Sequence, residues 1–312
     1  MKQDVLQTDF AGLNLNNPVF TASGTCGYAD ELKDFMDPGN LGGFITKSIS
    51  VKPRKGNPVP RIVETNSGML NAIGLANMGL EQFTVQKIPI LKRMSDLGTA
   101  VFVNIAGTTI DEYVEVTEKL AQEKSISGFE LNISCPNVKK GGISFGTDPV
   151  QIKEITSAVK NAAKDKVLMV KLTPSVTDIS VTASAAVNGG ADCLSLVNTF
   201  TAMVIDIETK RPVLANRTGG LSGPAIKPIA VYLVNKVYNE VTKGTKIPIL
   251  GLGGICTAAD AVEFLIAGAS AVAVGTSSFI NPGAAEHIIN GIKDYCIQHN
   301  ISDIKELSGS LL

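Results

Sequence analysis

The sequence predicts a (β/α)8 barrel with insertions over its carboxyl-end face, and three observations lead to that fold. Short runs rich in valine, isoleucine and leucine recur eight times, and amphipathic stretches lie between them. The runs lack the strict apolar–polar alternation of a half-exposed sheet, so both faces of each strand read as buried. Alternation of strand and helix across 312 residues is the pattern of such a barrel. An open doubly wound sheet is the alternative arrangement of the same elements.

The strands are read at Val19–Ala22, Gly43–Lys47, Ala100–Ile105, Gly128–Ile133, Val167–Leu172, Cys193–Val197, Ile247–Leu252 and Ser270–Val274. Helices are read at Asp111–Lys124, Pro149–Lys164, Val176–Asn188, Ile226–Val241 and Ala258–Ala267. Two of them carry explicit start signals: Asp148 followed by Pro149, and Thr257 ahead of Ala258. Two long polar stretches, Ser48–Met78 and Phe200–Pro224, read as insertions over one face. No linker, low-complexity tract or charge block divides the chain, which is therefore expected to form one domain over residues 1–312.

Composition narrows the function. The formal net charge is -1, with no block of lysine or arginine, so neither nucleic acid nor an anionic membrane is the expected partner. No apolar run approaches the roughly 20 residues that span a bilayer. The start, MKQDVLQTDF, lacks the basic-then-apolar pattern of a secretory signal, and the expected location is the cytoplasm. The five cysteines, Cys26, Cys135, Cys193, Cys256 and Cys296, form no C-x-x-C pair, so no metal site is expected in this chain.

In a barrel the chemistry sits where strands end at the carboxyl face. Those ends offer Ser23, Lys47, Asn104, Asn132 with Cys135, Lys171, Asn198 with Thr199, Gly253 with Gly254, and Gly275 with Thr276. No strand end supplies an aspartate, glutamate or histidine, so the expected guest is an anion with many hydrogen-bonding edges. The turns "GLGGI" (251–255) and "AVGTSSF" (273–279) follow strands seven and eight, where backbone N–H groups at helix starts commonly grip phosphate. Lys47 and Lys171 close the apolar runs "GFITK" and "VLMVK"; each could be a solvated strand end, a cation beside a reduced cofactor, or a Schiff-base nucleophile.

Cys135 could be a small buried hydrophobe, yet it lies in "ELNISCPN" (130–137), ahead of a proline that ends the strand. The only histidines, His287 and His299, fall in the last helix and tail, away from any Cys–His pair. A cysteine acting as general base towards a C–H then fits better than a nucleophile. The glycine-rich "KKGGISFG" (139–146) reads as a cover, and "NSGMLNAIGLANMGLE" (66–81) as an apolar loop over the mouth carrying Asn71.

Taken together, "TASGT", "ITKS", "GNPVPRIVE", "SGMLNAIGLAN", "ELNISCPN", "VKLTP", "GGLSGPAIKP", "GLGGI" and "AVGT" span nearly the whole chain in order. The sequence resembles the dihydroorotate dehydrogenases, most closely the NAD-linked class 1B catalytic subunit. That resemblance implies an FMN-containing barrel that oxidises dihydroorotate to orotate, with Cys135 as the base. It implies substrate contacts from Lys47, Asn71, Asn132, Asn137, Asn198 and Thr199. FMN contacts would come from Ser23, Lys47, Ser48, Asn104, Asn132, Lys171, Val197 and Gly223, with the phosphate on Gly253, Gly254, Gly275 and Thr276. It further implies a partner subunit carrying FAD and a [2Fe–2S] cluster, in a heterotetramer built on a dimer of this chain. The membrane-linked class carries an amino-terminal hydrophobic extension and a serine base, and neither is here. The fumarate-using class 1A is the alternative acceptor class, a lyase using Lys171 as a Schiff base the alternative chemistry, and a non-catalytic binding scaffold the third reading.

Overall fold

The computed structural model describes residues 4–32, 34–134, 139–140 and 143–312. Eight parallel strands close into a barrel: β1 (Val19–Thr21), β2 (Gly43–Ile45), β3 (Ala100–Ile105), β4 (Gly128–Asn132), β5 (Val167–Lys171), β6 (Cys193–Leu196), β7 (Ile249–Leu252) and β8 (Ala271–Val274). Each strand pairs with the next in sequence and β8 pairs with β1, so the open doubly wound alternative is excluded. The strand core is almost wholly buried on both sides, as the unbroken apolar runs require.

The helices are α1 (Leu80–Gln86), α2 (Ile88–Asp96), α3 (Ile110–Leu120), α4 (Pro149–Ala163), α5 (Ile179–Asn188), α6 (Lys227–Val237), α7 (Ala258–Ala267), α8 (Ser277–Ile280) and α9 (Ala284–Gln298). Their starts follow from side-chain caps. Asp148 accepts from Val150 N and Asp178 from Ser180 N, and Thr257 with Asp260 forms a reciprocal capping box at α7. The Asp178 cap explains why α5 begins at Ile179 and not at Val176. Helix α3 stops at Leu120, short of the expected Lys124, because Glu123 N turns back to Leu120 O. Strand β7 starts at Ile249 because Pro248 has no N–H to give a ladder.

Two packed layers result. Leucine, isoleucine and valine from the outward faces of the strands pack against the helices in one large cluster. A smaller cluster fills the barrel itself: Phe20, Ile45, Phe102, Val167, Met169, Cys193 and Leu250 point inward, together with Phe10 and Leu15. Those last two belong to a hairpin, Thr8–Phe10 paired with Leu13–Leu15, which plugs the amino-terminal end of the barrel. Ala11 and Gly12 both have positive φ, the conformation that a two-residue hairpin turn requires.

The two insertions do not remain loops. Ile62–Thr65 and Gly68–Asn71 form a hairpin, to which Gly219–Ser222 and Phe200–Ala202 add antiparallel strands. The resulting four-stranded sheet has its own small core around Leu70, Ala72 and Leu214. Of the expected loop at 66–81, Gly68–Asn71 is a strand, paired with Gly219–Ser222 of the other insertion, about 150 residues later, and residues 72–79 remain irregular up to the start of α1 at Leu80. Lys139–Lys140 pairs antiparallel with Ile143–Ser144. Among the described residues no helix is long and apolar enough to cross a membrane.

Candidate active site

Strand register assembles the centre of the site. Asn132, Lys171 and Ser195 stand side by side on β4, β5 and β6, and Asn104 on β3 stands beside Glu130 on β4. Side chains two apart on a strand share a face, so Glu130 and Asn132 both project into the barrel, one above the other. Glu130 and Asn104 are fully buried and Lys171 is 5% exposed.

These groups form one hydrogen-bonded chain. Ser48 Oγ donates to Asn104 Oδ1, and Asn104 Nδ2 donates to Glu130 Oε2. Ser195 Oγ donates to Glu130 Oε1 at 2.9 Å. The Lys171 ammonium lies 3.7 Å from Glu130 Oε2 and donates to Ser23 Oγ at 3.0 Å. A buried ion pair is tolerable only when its remaining polar atoms find partners, and both carboxylate oxygens have them here. Asn132 is fixed from behind: Tyr113 Oη, from α3, donates to its backbone carbonyl at 2.7 Å.

Lys47 follows β2 and is half-buried, its backbone N–H donating to Gly27 O. Burial pushes its ammonium below the ordinary lysine value; Glu31 opposes that shift and Arg61 reinforces it. Val197 is buried at the end of β6. Asn198 turns its Oδ1 back to accept from Thr199 N at 2.7 Å. The accessory sheet reaches this edge. Asn71 pairs with Gly220, and Gly220 packs so closely on Thr199 that a Cβ there would lie 2.0 Å from Thr199 Oγ1.

The glycine turns meet at a second focus. Gly223, Gly253 and Gly254 all have positive φ. A Cβ on Gly254 would lie 2.7 Å from Gly223 O and 3.0 Å from Lys227 N. Thr276 Oγ1 donates to Ser222 Oγ at 2.8 Å, joining the end of β8 to the accessory sheet. The two glycine turns meet their helices differently: α7 begins four residues beyond Gly254, with its N-terminus capped by Thr257 and Asp260, whereas α8 begins at Ser277 directly after Thr276. A groove of about 1100 Å³ between α4 and α5 lies on the outside of the barrel and is lined by no strand-end residue.

The model of the dihydroorotate dehydrogenase family matches residues 5–296. A protein of Geotalea daltonii named dihydroorotate dehydrogenase B (NAD(+)), catalytic subunit, is 50% identical over 311 residues, covering 100% of this chain and 99% of its own. Proteins of the same name from Alkaliphilus metalliredigens and Geotalea uraniireducens are 52% and 51% identical, each over 98% of both chains. The chain belongs to the dihydroorotate dehydrogenase family.

For a dihydroorotate dehydrogenase read from sequence, most expected site residues converge as described. Ser23, Ser48, Asn104, Asn132 and Lys171 gather at the centre, Asn71, Asn198 and Thr199 at the sheet edge, and Gly223, Gly253, Gly254 and Thr276 at the glycine focus. Cys135 and Asn137 lie outside the described residues. The expectation that the site would be built without acidic side chains missed Glu130. It lies one inward position below the strand end, so a survey of strand ends passes over it. The signal was present: "GFELN" places a glutamate among apolar residues at the alternation that also points Asn132 inward.

Proposed function

We propose that this chain oxidises (S)-dihydroorotate to orotate in pyrimidine biosynthesis as a single FMN-binding domain over residues 1–312, and passes the electrons through a partner subunit to NAD+. The observation that carries this reading is the Ser48–Asn104–Glu130–Lys171–Ser23 chain at the carboxyl end of the barrel. It places a buried cation and an oriented amide in a chain whose family is flavin-dependent.

The residues present fit FMN. Lys171 and Asn104 would face its ring system, with Ser23, Lys47, Ser48, Asn132, Val197 and Gly223 around them. Gly253, Gly254, Gly275 and Thr276 would hold its phosphate. At Gly275 an added Cβ would be in van der Waals contact with Ala22 Cβ at 3.4 Å and Thr25 Cγ2 at 3.8 Å, so the backbone there lies against the end of β1 that carries Ser23. FMN supplies the two-electron acceptor for the hydride. Lys47, Asn71, Asn132, Asn137, Asn198 and Thr199 bind the substrate's carboxylate and ring amides, holding it in one orientation. Cys135 takes the proton from the carbon α to the substrate carbonyl, as general base. The accessory sheet, packed on Thr199, shields that proton transfer from water.

The relatives are named catalytic subunits, which supports a second subunit here. In the reading proposed, that subunit carries FAD and a [2Fe–2S] cluster, in a cytoplasmic heterotetramer built on a dimer of this chain. The Schiff-base alternative is disfavoured because Lys171 Nζ is held by Ser23 Oγ at 3.0 Å and lies 3.7 Å from the Glu130 carboxylate, which fixes it in place beside the barrel floor. The deciding experiment is a visible spectrum of the purified protein before and after anaerobic dihydroorotate. A flavin band that bleaches supports the reading; a protein that stays colourless after incubation with FMN overturns it. Subsequent addition of fumarate or NAD+, with and without the partner, separates the 1A and 1B acceptors.

A further inference from the structure

Among the described residues, the mechanism above leaves one fully buried carboxylate without a task. Glu130 touches no solvent, and its oxygens accept from Asn104 and Ser195 while facing the Lys171 ammonium. In the reading proposed above, substrate and cofactor contact Asn132 at the strand end, and Glu130 lies one inward position below it, so it acts through its neighbours. Asn104 and Lys171 both lean on it, one by a hydrogen bond and one by charge.

We propose that Glu130 is a positioning residue of the flavin site: it fixes the side chains of Lys171 and Asn104 and offsets the lysine's charge, so the bound flavin is harder to reduce than Lys171 alone would make it. This rests on the flavin reading above. A cation beside a ring that gains negative charge on reduction favours the reduced form, and a carboxylate close behind that cation cancels part of its field. Because Glu130 is fully buried, bulk water does not screen the carboxylate away. Asn104 adds a steric argument. With Oδ1 engaged by Ser48 and Nδ2 by Glu130, its amide has one orientation, which a neutral pocket floor would not impose.

The test compares the full-length chain with Glu130→Gln, Lys171→Met and the double variant, all loaded with FMN, by measuring the reduction potential of the bound flavin. Glu130→Gln is expected to move the potential upward by at least tenfold in the oxidised-to-reduced ratio, about 30 mV for a two-electron couple. Lys171→Met is expected to move it downward, and the double variant to return towards the wild type. A purely structural glutamate would lower thermal stability and leave the potential where it was. An FMN-loaded Glu130→Gln protein with an unchanged potential therefore overturns the proposal.

Removing one partner of a buried pair is strongly destabilising, so the single variant could fail to fold. The double variant then decides. Recovery of a folded, FMN-binding protein with a potential near that of the wild type supports the charge balance. A double variant as defective as the single one overturns it. Thermal melts of the four flavin-free proteins give an independent readout: the two substitutions should be non-additive, with the double variant closer to the wild type than the sum of the singles. A wild-type protein that takes up no FMN would overturn the flavin reading instead, which keeps the two failures distinct.

Discussion

Gly254→Ala tests the glycine focus quantitatively. Its φ of +80 places the new side chain in the left-handed region, a cost of about 1–2 kcal/mol for an L residue. The added Cβ would also lie 2.7 Å from Gly223 O, 2.9 Å from Lys227 Cβ and 3.0 Å from Lys227 N. Two of those atoms are backbone, so no rotamer change relieves the contact. The start of α6 or the turn at Gly223 must move instead, at the roughly 1–3 kcal/mol typical of overpacking. The sum is about 2–5 kcal/mol, read as a shift in urea midpoint. Gly12→Ala is the control: its φ of +82 is nearly the same, but nothing lies within 4 Å of its added Cβ, so it bears the conformational cost alone. Gly254→Ala should lose stability beyond that control and should release FMN on gel filtration, since Gly223 moves with it. Equal losses for the two variants would refute the close approach of Gly254 to Gly223 and α6.

Cys135→Ser should retain FMN and orotate while slowing anaerobic flavin reduction by roughly 10²-fold or more, the scale of a lost general base; an unchanged stopped-flow rate removes Cys135 from the chemistry. Lys47 must be charged to hold an anionic substrate, and its pKa is lowered by burial, so KM for dihydroorotate should climb with pH before the ordinary lysine range is reached. Arg61→Gln, removing a cation that adds to the lowering, should move that rise to higher pH. The stability sign follows from the same shift: between the folded and unfolded values the native state binds fewer protons, so Lys47's contribution improves as pH rises through that window, which urea midpoints at several alkaline pH values would register. Tyr113→Phe removes the donor to the Asn132 carbonyl and should cost about 1 kcal/mol, with a higher KM for dihydroorotate as Asn132 loosens; a lower melting temperature with unchanged KM would assign Tyr113 to stability alone.

Local chemistry was legible where it acts over a few residues. Asp148-Pro149 and Thr257 marked two helix starts because capping is decided within one turn, and the eight buried runs announced eight strands because burial on both faces leaves no polar alternation. Pairing between distant segments was not legible. The hairpin at Ile62–Asn71 finds its third strand at Gly219–Ser222, and no local pattern encodes that partner. The plug formed by Phe10 and Leu15 was hidden for the same reason: three-residue strands carry too little periodicity to be distinguished from a turn. At the site, side chains at strand ends were readable because the fold class says where chemistry sits. For Glu130 only the inward position was readable, from "GFELN"; its role depends on barrel register, which places Asn104 beside it and Lys171 and Ser195 within reach.

The interior of the barrel thus changes character along its axis. At the amino-terminal end, Phe10, Leu15, Phe20 and Phe102 fill it with apolar volume, the ordinary way to stabilise a fold of this size. Towards the carboxyl end the same inward positions carry Asn104, Glu130, Lys171 and Ser195. A charged floor is not needed to close a barrel, since apolar residues of similar volume are often as stabilising as a buried ion pair. Its presence where strand ends meet the accessory sheet makes sense if orientation and charge, and not packing, are what those positions provide. The apolar plug then serves the site indirectly: by closing the far end to water, it leaves the pair's field reduced only by the protein's own dipoles, which is the condition under which one carboxylate can set the electrostatics of a bound ring.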